Sequence, residues 1–261
     1  MTATLQPLAL DVEQFGVAHQ PMAAIRTNMG RGLQEFVPSL VAHDGVMVIA
    51  GSGPSLPAFI EEIRTEQKKG RPVLAVNGAH DLLCEHEIVP DLFVTVDPRD
   101  VRHNLRQKND RTIYLLASRV ATEVFEHLRG CRIVLWHSQG HPQEMPAFDD
   151  TTVGRIGGGS TSGLRAISIS YLMGFRSMVL YGMDSCNDAD GRKRFDSGTN
   201  FFTMPVTVGG RTFTCSMAMA GQAQDFQLCT YGSMPGLHLE VKGDGLLAAI
   251  VEERRKAGFR V

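Results

Sequence analysis

The sequence has no long hydrophobic run and no strong excess of charge of either sign. None of its apolar runs approaches the about 20 residues that a helix needs to cross a bilayer, so no membrane-spanning segment is predicted. The net charge of −2 at pH 7 gives no general attraction for nucleic acid or for an anionic membrane. The first thirty residues lack the basic start and apolar core of a signal peptide, which favours a cytoplasmic protein.

Cysteine is sparse, and its pattern excludes the common metal and redox motifs. The five cysteines include no CxxC pair and no zinc-type spacing, and three of them lie in or beside apolar runs. A free cysteine in such a run packs as a small hydrophobic side chain. We therefore predict reduced, structural thiols, as in other cytoplasmic proteins.

From residue 46 onward, short apolar runs alternate with helical segments. Strands that are apolar throughout and separated by helices predict a doubly wound, mostly parallel, Rossmann-like α/β sheet covered on both faces. Such sheets bind ligands at the carboxyl ends of their strands, near a switch in strand order. The apolar runs are 46–50, 72–76, 92–96, 112–117, 132–136 and 177–181.

The chain divides into three parts by pattern. Residues 1–45 have helical spacing and predict one or two helices that lean on the main domain or on a second subunit, which leaves room for a homodimer. Residues 46–185 form the predicted nucleotide-binding core. Residues 186–261 are a C-terminal extension that completes the same domain, with a β-hairpin around Gly209 and Gly210, then a helix, a strand and a closing helix.

The stretch VMVIAGSGPSL runs from a predicted strand into a loop of small residues. Gly51 and Gly53 follow the strand, and Ser55 is placed to cap a helix that begins near Leu56. A strand, glycine loop and helix direct free N–H groups at one spot, and glycine lets a phosphate approach the backbone. These glycines, with Ser52 and Ser55, are candidate phosphate ligands. The loop matches neither GxGxxG nor GxxxxGK[ST], and a tight turn without a ligand is the alternative.

A second glycine-rich loop, GGGSTSG, opens a later helix. We expect three consecutive glycines to have no packing use, and the following hydroxyl side chains lie at the start of the helix. The N-terminus of a helix is favourable for an anion. The second loop therefore predicts further ligands of the nucleotide, at Gly158, Gly159, Ser160 and Thr161.

Polar residues end several of the predicted strands. Asn77 follows the second strand, where its amide can bind a base or a ribose, or can simply serve a turn beside Gly78. Asp97 and Asp184 end the third and sixth strands. Two carboxylates beside phosphate-binding loops predict a Mg²⁺–phosphate site, and helix capping is the alternative.

Two further features admit both a functional and a structural interpretation. His137 ends the fifth strand and is a candidate general base, although a hydrogen-bonded structural histidine is the commoner case. The basic stretch GRKRF at 191–195 is typical of a solvated turn, and the alternative is a lid that closes over a charged ligand.

Together, three motifs resemble the MptE-like 6-hydroxymethylpterin diphosphokinase family, whose domain also occurs in bacterial motility accessory factors. They are GSGPSL, AVNGAHDLLCEHEIVPDLFVTVDP and GGGSTSGLRAISISYLMGFRSMVLYGMDS, and the resemblance covers roughly residues 45–185. GSGPSL also resembles the first loop of bacterial sialyltransferases that use CMP-sialic acid. The tail AQDFQ…GDGLL is similar to short phage-encoded relatives.

The resemblance to the pterin enzymes implies a transfer of diphosphate from ATP, with Mg²⁺, onto a small hydroxyl acceptor. The residues of the two glycine loops would hold the nucleotide and its phosphates, and Asp97 and Asp184 would coordinate Mg²⁺. The acceptor hydroxyl would attack the β-phosphorus and AMP would leave. Positioning and charge neutralisation would supply most of the catalysis.

The resemblance to sialyltransferases implies a different donor, a CMP-activated sugar, in the same cleft. His137 would then be the base for the acceptor hydroxyl. With one tryptophan and four tyrosines, the sequence has few aromatic side chains to stack on a sugar, which favours the diphosphokinase. A third alternative is a nucleotide-binding module without catalysis.

Overall fold

A computed structural model describes residues 19–39, 41–199 and 201–259 of the chain. A central sheet of nine strands, all paired in parallel, is flanked by helices, which confirms the predicted doubly wound α/β fold. The strands of this sheet are β1 Gln34–Glu35, β2 His43–Ala50, β3 Val73–Val76, β4 Leu92–Thr95, β5 Ile113–Ala117, β6 Arg132–Ser138, β7 Arg155–Ile156, β8 Phe175–Tyr181 and, near the C-terminus, β11 His238–Val241.

Seven α-helices are found in the described part of the chain, and none of them is both long and apolar enough to cross a membrane. They are α1 Met22–Met29, α2 Ile60–Lys68, α3 Ala79–Glu85, α4 Thr122–His127, α5 Ser162–Leu172, α6 Met217–Ser233 and α7 Leu246–Lys256. Short 3-10 helices occur at Leu56–Phe59, Arg102–Asn104 and Pro142–Phe148.

The order of the strands reverses at β2. The sheet runs β1-β6-β5-β4-β3-β2-β8-β11, with β7 paired to β6. Ala50, the last residue of β2, is in register with Ala75 on β3 and with Tyr181, the last residue of β8. The loops that follow these three strands therefore leave the same edge of the sheet side by side, at the position where sheets of this kind bind ligands.

The strands are apolar throughout because both faces of the sheet are covered. On β2, Met47 and Ile49 join the larger buried cluster, whereas Val48 and Ala50 join the cluster on the other face. Successive side chains of a strand point to opposite faces, so each face of a doubly covered sheet requires its own apolar set. This explains why the strand signal in the sequence is a continuous run and not an alternation.

The C-terminal residues add a hairpin and one more strand of the main sheet. Strands β9 Met204–Val208 and β10 Arg211–Cys215 pair in antiparallel register around Gly209 and Gly210, which both have positive φ, so the predicted hairpin is confirmed. Strand β11 then pairs in parallel with β8.

The N-terminal segment is only partly helical. Helix α1 is present, but the stretch GLQEFVPSLVAH, which we expected to be helical, contains β1 instead. Gln34 and Glu35 align with β6, and the N–H of Phe36 donates to the carbonyl of Leu135 at 2.7 Å. The edge of β6 offers unpaired backbone groups, and Pro38 does not suit a helix interior, so the segment pairs as a strand. The prediction for residues 1–18 lies outside the described residues.

The difference in burial between two leucines predicts very different losses of stability when each is replaced by alanine. Leu74 on β3 is fully buried, whereas Leu228 on α6 is 59% exposed. Leu74→Ala should lower the free energy of unfolding by about 2–5 kcal/mol, because it removes buried methyl groups and leaves a cavity. Leu228→Ala should change it by less than about 0.5 kcal/mol. Urea unfolding measures both, and equal losses would contradict the assignment of β3 to the core.

Candidate functional site

A cleft of about 470 Å³ opens where β2, β3, β4 and β8 end. Its volume is in the range of small-molecule sites. The N-terminus of α5 and the residues after β8 form one part of its wall, and the 191–195 stretch and α6 contribute other side chains. The cleft therefore lies at the switch in strand order, as the fold requires of a ligand site.

The cleft brings together most of the residues that the sequence singled out. Those that line it are Gly51, Ser52, Gly53, Asn77, Asp97, Thr161 and Asp184. Ser55, Gly158, Gly159, Ser160 and His137 are not among its lining residues. The two glycine loops thus contribute different parts to the site, the first its glycines and the second the start of its helix.

The glycines of the first loop are required by contact with the loop after β8. The N–H of Gly51 donates to the carbonyl of Tyr181, and that of Gly53 to the carbonyl of Gly182, both at 2.8 Å. A Cβ at Gly53 would lie 2.5 Å from the Gly182 oxygen and would overlap the carboxylate of Asp184. Two of the amides expected for a phosphate are therefore used within the protein.

Asp184 and Ser55 join these two loops. The Ser55 hydroxyl donates to Oδ1 of Asp184 at 2.7 Å and the Ser55 N–H to Oδ2 at 3.0 Å. Ser55 therefore makes no side-chain cap to the helix that follows, contrary to its predicted role. Asp184 is 5% exposed, and burial raises the pKa of its carboxyl group, against the opposing effect of the Ser55 hydrogen bonds.

The glycines of the second loop also have a packing role, so our expectation that they have none is wrong. Gly158 and Gly159 have φ of 108° and 93°, in the region that favours glycine. A Cβ at Gly158 would overlap the side chain of Ser168, and one at Gly159 would overlap Leu164. The bare backbone lets the loop lie directly on α5.

What the second loop offers the cleft is the N-terminus of α5. The Thr161 side chain accepts the N–H of Leu164 at 3.3 Å and receives a hydrogen bond from Gln222 of α6 at 3.2 Å. The Ser162 hydroxyl accepts the N–H of Val96 at 3.1 Å, which ties the helix to the end of β4. The positive end of the helix dipole is thus fixed at the wall of the cleft, where it favours an anion.

Charged side chains surround this anion-favouring wall. Asp97 accepts two hydrogen bonds from the guanidinium of Arg99, at 2.9 and 2.7 Å. Lys193 and His103 also line the cleft; the Lys193 side chain makes no hydrogen bond or ion pair with any residue that the structure describes, and His103 lies near Asp100. The described residues include no group of three or more His, Cys, Asp or Glu that could hold a metal ion.

Asn77 occupies the position that the sequence predicted. It follows β3 with φ of 50°, which asparagine tolerates better than most residues. Its side-chain oxygen is buried and has no hydrogen-bond partner among the described residues. A buried amide oxygen without a partner costs free energy, so this position suits a ligand that donates a hydrogen bond.

His137 lies in a different place from the other predicted residues. It lines a second cavity of about 520 Å³ beside β1, β6 and β7. Its Nε2 is 3.0 Å from a carboxylate oxygen of Glu35, and burial lowers the pKa of the imidazole, against the effect of that carboxylate. The structure thus gives His137 a partner outside the cleft, as in the alternative structural interpretation.

Several residues of the cleft were not proposed as ligands from the sequence. Lys193 and Arg194 belong to the basic stretch, for which a solvated turn was the first interpretation. The cleft residues on α6 could not be identified from the sequence, because a residue such as Gln222 reaches the cleft only through the packing of α6 beside α5.

Comparison with known proteins agrees with the motifs. The family model described as 6-hydroxymethylpterin diphosphokinase MptE-like matches residues 22–190, which is more than half of the chain. The chain belongs to the MptE-like family. This confirms the resemblance drawn from the sequence, and the match includes every strand from β1 to β8.

The MptE-like chain also resembles a solved glycosyltransferase. The structure of the MAf glycosyltransferase from Magnetospirillum magneticum AMB-1 matches with a TM-score of 0.66 and 15% identity, over 92% of this chain and 42% of that chain. The chain thus spans less than half the length of that neighbour, and at this identity the likeness is one of fold. No match is found among curated proteins.

The packing of the second loop predicts a loss of stability that needs no ligand. Gly158→Ala should lower the free energy of unfolding by roughly 1–3 kcal/mol, because the new methyl group meets Ser168 and φ is unfavourable. Gly154→Ala, with nothing within 4 Å, is the matched control and should change little. Equal stability of both variants in nucleotide-free urea unfolding would contradict a packing role.

The burial of Asp184 predicts how the stability of the folded protein depends on pH. Because its pKa in the folded state is raised above the ordinary 3.8, the unfolded chain ionises first as the pH increases. The stability of the wild type relative to Asp184→Asn should therefore fall as the pH rises above about 3.8, and then level off above the raised pKa.

Urea midpoints across this pH range measure the difference, with Asp110→Asn, an exposed aspartate, as the control. If the relative stability of the wild type rose with pH, the hydrogen bonds from Ser55 would outweigh burial and the pKa would be lowered.

Proposed function

We propose that this MptE-like protein is a transferase that binds ATP in the cleft and moves its terminal diphosphate onto a small hydroxyl acceptor. The observation that carries the proposal is the convergence in one cleft of the α5 N-terminus with Arg99, Arg194 and Lys193, which is unpaired among the described residues. A helix N-terminus and several cations together suit a polyphosphate better than a neutral or singly charged ligand.

Binding would be divided among the elements of the cleft. The free N–H groups at the start of α5 would bind a phosphate, since Thr161 occupies only the N–H of Leu164 with its side chain. The unpartnered amide oxygen of Asn77 would accept a hydrogen bond from the base or the ribose. The first glycine loop would shape the wall between them and is held there by Asp184.

In the transfer step the acceptor oxygen forms a bond to the β-phosphorus, and the bond between that phosphorus and the oxygen of the α-phosphate breaks. AMP leaves with the electron pair of the broken bond, and the acceptor proton passes to solvent. The transition state is loose, so the site has to align the two oxygens and stabilise charge more than it has to supply a strong base.

A Mg²⁺ ion would neutralise charge on the phosphates. Proteins commonly bind Mg²⁺ through one or two carboxylates together with substrate phosphates. Asp97 is suited to this role because it lines the cleft and is 16% exposed. The oxygens of both predicted ligands accept hydrogen bonds, but Asp184 is only 5% exposed, whereas the Arg99 side chain that pairs with Asp97 is 75% exposed, so Asp97 is the better candidate.

A second candidate, supported by the fold of the MAf glycosyltransferase, is transfer from a CMP-activated sugar. It would use the same cleft and would need a base for the acceptor hydroxyl. His137, the base suggested by the sequence, lines the other cavity, which weighs against this candidate. The third candidate function is nucleotide binding without catalysis.

Thermal shifts and product analysis distinguish these functions. ATP with Mg²⁺ at about 100 times its Kd should stabilise the protein by about 2.7 kcal/mol, and EDTA should reduce this shift. Incubation with a hydroxymethylpterin should then release AMP. Asp97→Asn should lose the effect of EDTA and most turnover, whereas Asp44→Asn, at the far end of β2, should behave as the wild type.

Each other outcome has its own meaning. A shift with CMP that EDTA does not change, and release of CMP from a CMP-sugar, would favour the glycosyltransferase. Binding that survives both Asp97→Asn and Asp184→Asn without turnover would indicate a binding module. Stabilisation by none of these nucleotides would overturn the proposal.

A further inference from the structure

Residues 188–199, which we call the basic turn, are internally braced. The N–H of Asp188 donates to the carbonyl of Arg192 at 3.0 Å, and the N–H of Arg192 donates back to Oδ1 of Asp188 at 2.8 Å. Arg192 also forms an isolated bridge with Thr199. These contacts connect the two ends of the segment to each other.

The basic turn is attached to the first glycine loop. The N–H of Phe195 donates to the carbonyl of Ser52 at 3.4 Å. The half-buried Phe195 side chain packs against the apolar cluster that includes Leu56 and Ile60. The turn therefore stands beside the cleft, and both Lys193 and Arg194 line it.

The three consecutive cations of the turn differ in how their charge is used. Arg192 pairs with Asp188 and Asp190 at 2.8 and 2.9 Å. Arg194 pairs with Asp196 at 2.9 Å. Lys193 is exposed and has no acidic partner or hydrogen bond among residues 19–39, 41–199 and 201–259. Both arginines of the turn thus have acidic partners, whereas Lys193, which also lines the cleft, has none in the described chain.

We infer that Lys193 binds the outer phosphates of the donor and makes the cleft select donors with two or more phosphates. This rests on the proposed function. The α5 N-terminus and the basic turn are separate elements of the cleft wall, and the inference places the first phosphate at the helix and the outer phosphates at the turn. A single phosphate held at the helix N-terminus would then leave Lys193 without a partner. Lysine binds phosphate as a point charge and needs no fixed planar geometry.

The test compares ligands that differ only in phosphate number. Calorimetry measures the binding of AMP, ADP, ATP, inorganic phosphate and pyrophosphate to the wild type and to Lys193→Gln. The substitution should lower the affinity for ADP, ATP and pyrophosphate about tenfold or more, and should change the affinity for AMP and phosphate by less than about threefold. Lys193→Arg should keep most of the affinity, because it keeps the charge.

Lys68→Gln is the matched control, since Lys68 is also exposed and without a partner in the described chain but lies at the end of α2, outside the cleft. Equal weakening of mono- and diphosphate ligands, or no weakening, would overturn the inference. Pyrophosphate needs no nucleoside, so it tests Lys193 separately. If the wild type bound pyrophosphate but no nucleotide, the proposed function would fail. The comparison of pyrophosphate with phosphate would still show whether Lys193 favours ligands with two phosphates.

Discussion

The close approach of the loops after β2 and β8 is the contact on which the site depends. Two backbone hydrogen bonds join Gly51 and Gly53 to the end of β8, and the buried carboxyl group of Asp184 holds Ser55 from the other side. The main-chain carbonyl of Asp184 also accepts the N–H of Leu246 at the start of α7. One residue therefore links the glycine loop, the central sheet and the last helix, and the cleft is built on that link.

The fold could be predicted from the sequence because a doubly covered sheet imposes a local signal. Each central strand must be apolar on both faces, so β3 and β4 appear as short apolar runs. The hairpin could be predicted because its signal is also local: the turn needs residues with positive φ, and glycine is the residue that adopts it most readily, as Gly209 and Gly210 do. β1 was missed, because a two-residue edge strand is defined by its neighbour β6 and not by its own residues.

Seven of the candidate residues from the sequence line one cleft, but the structure gives several candidates contacts that the sequence did not indicate. Glycine signals a close approach but does not say what approaches, and Gly53 and Gly158 both meet protein atoms. His137 ends a strand as expected, yet it faces Glu35 in another cavity. Lys193 stands out only after the ion pairs of its neighbours are known. Side-chain partners across the fold carry this information, and a local motif does not.

The pairing of β2 with β8 has a consequence for how the protein is made. Ser55 and Asp184 are 129 residues apart in sequence, and the intervening strands β3 to β6 lie on the other side of β2. During synthesis, the first loop emerges long before the strand that it must contact. Contacts of such long sequence separation form slowly, because closing the loop costs entropy before the contact repays it. The cleft is therefore a late product of folding, completed only when β8 docks beside β2.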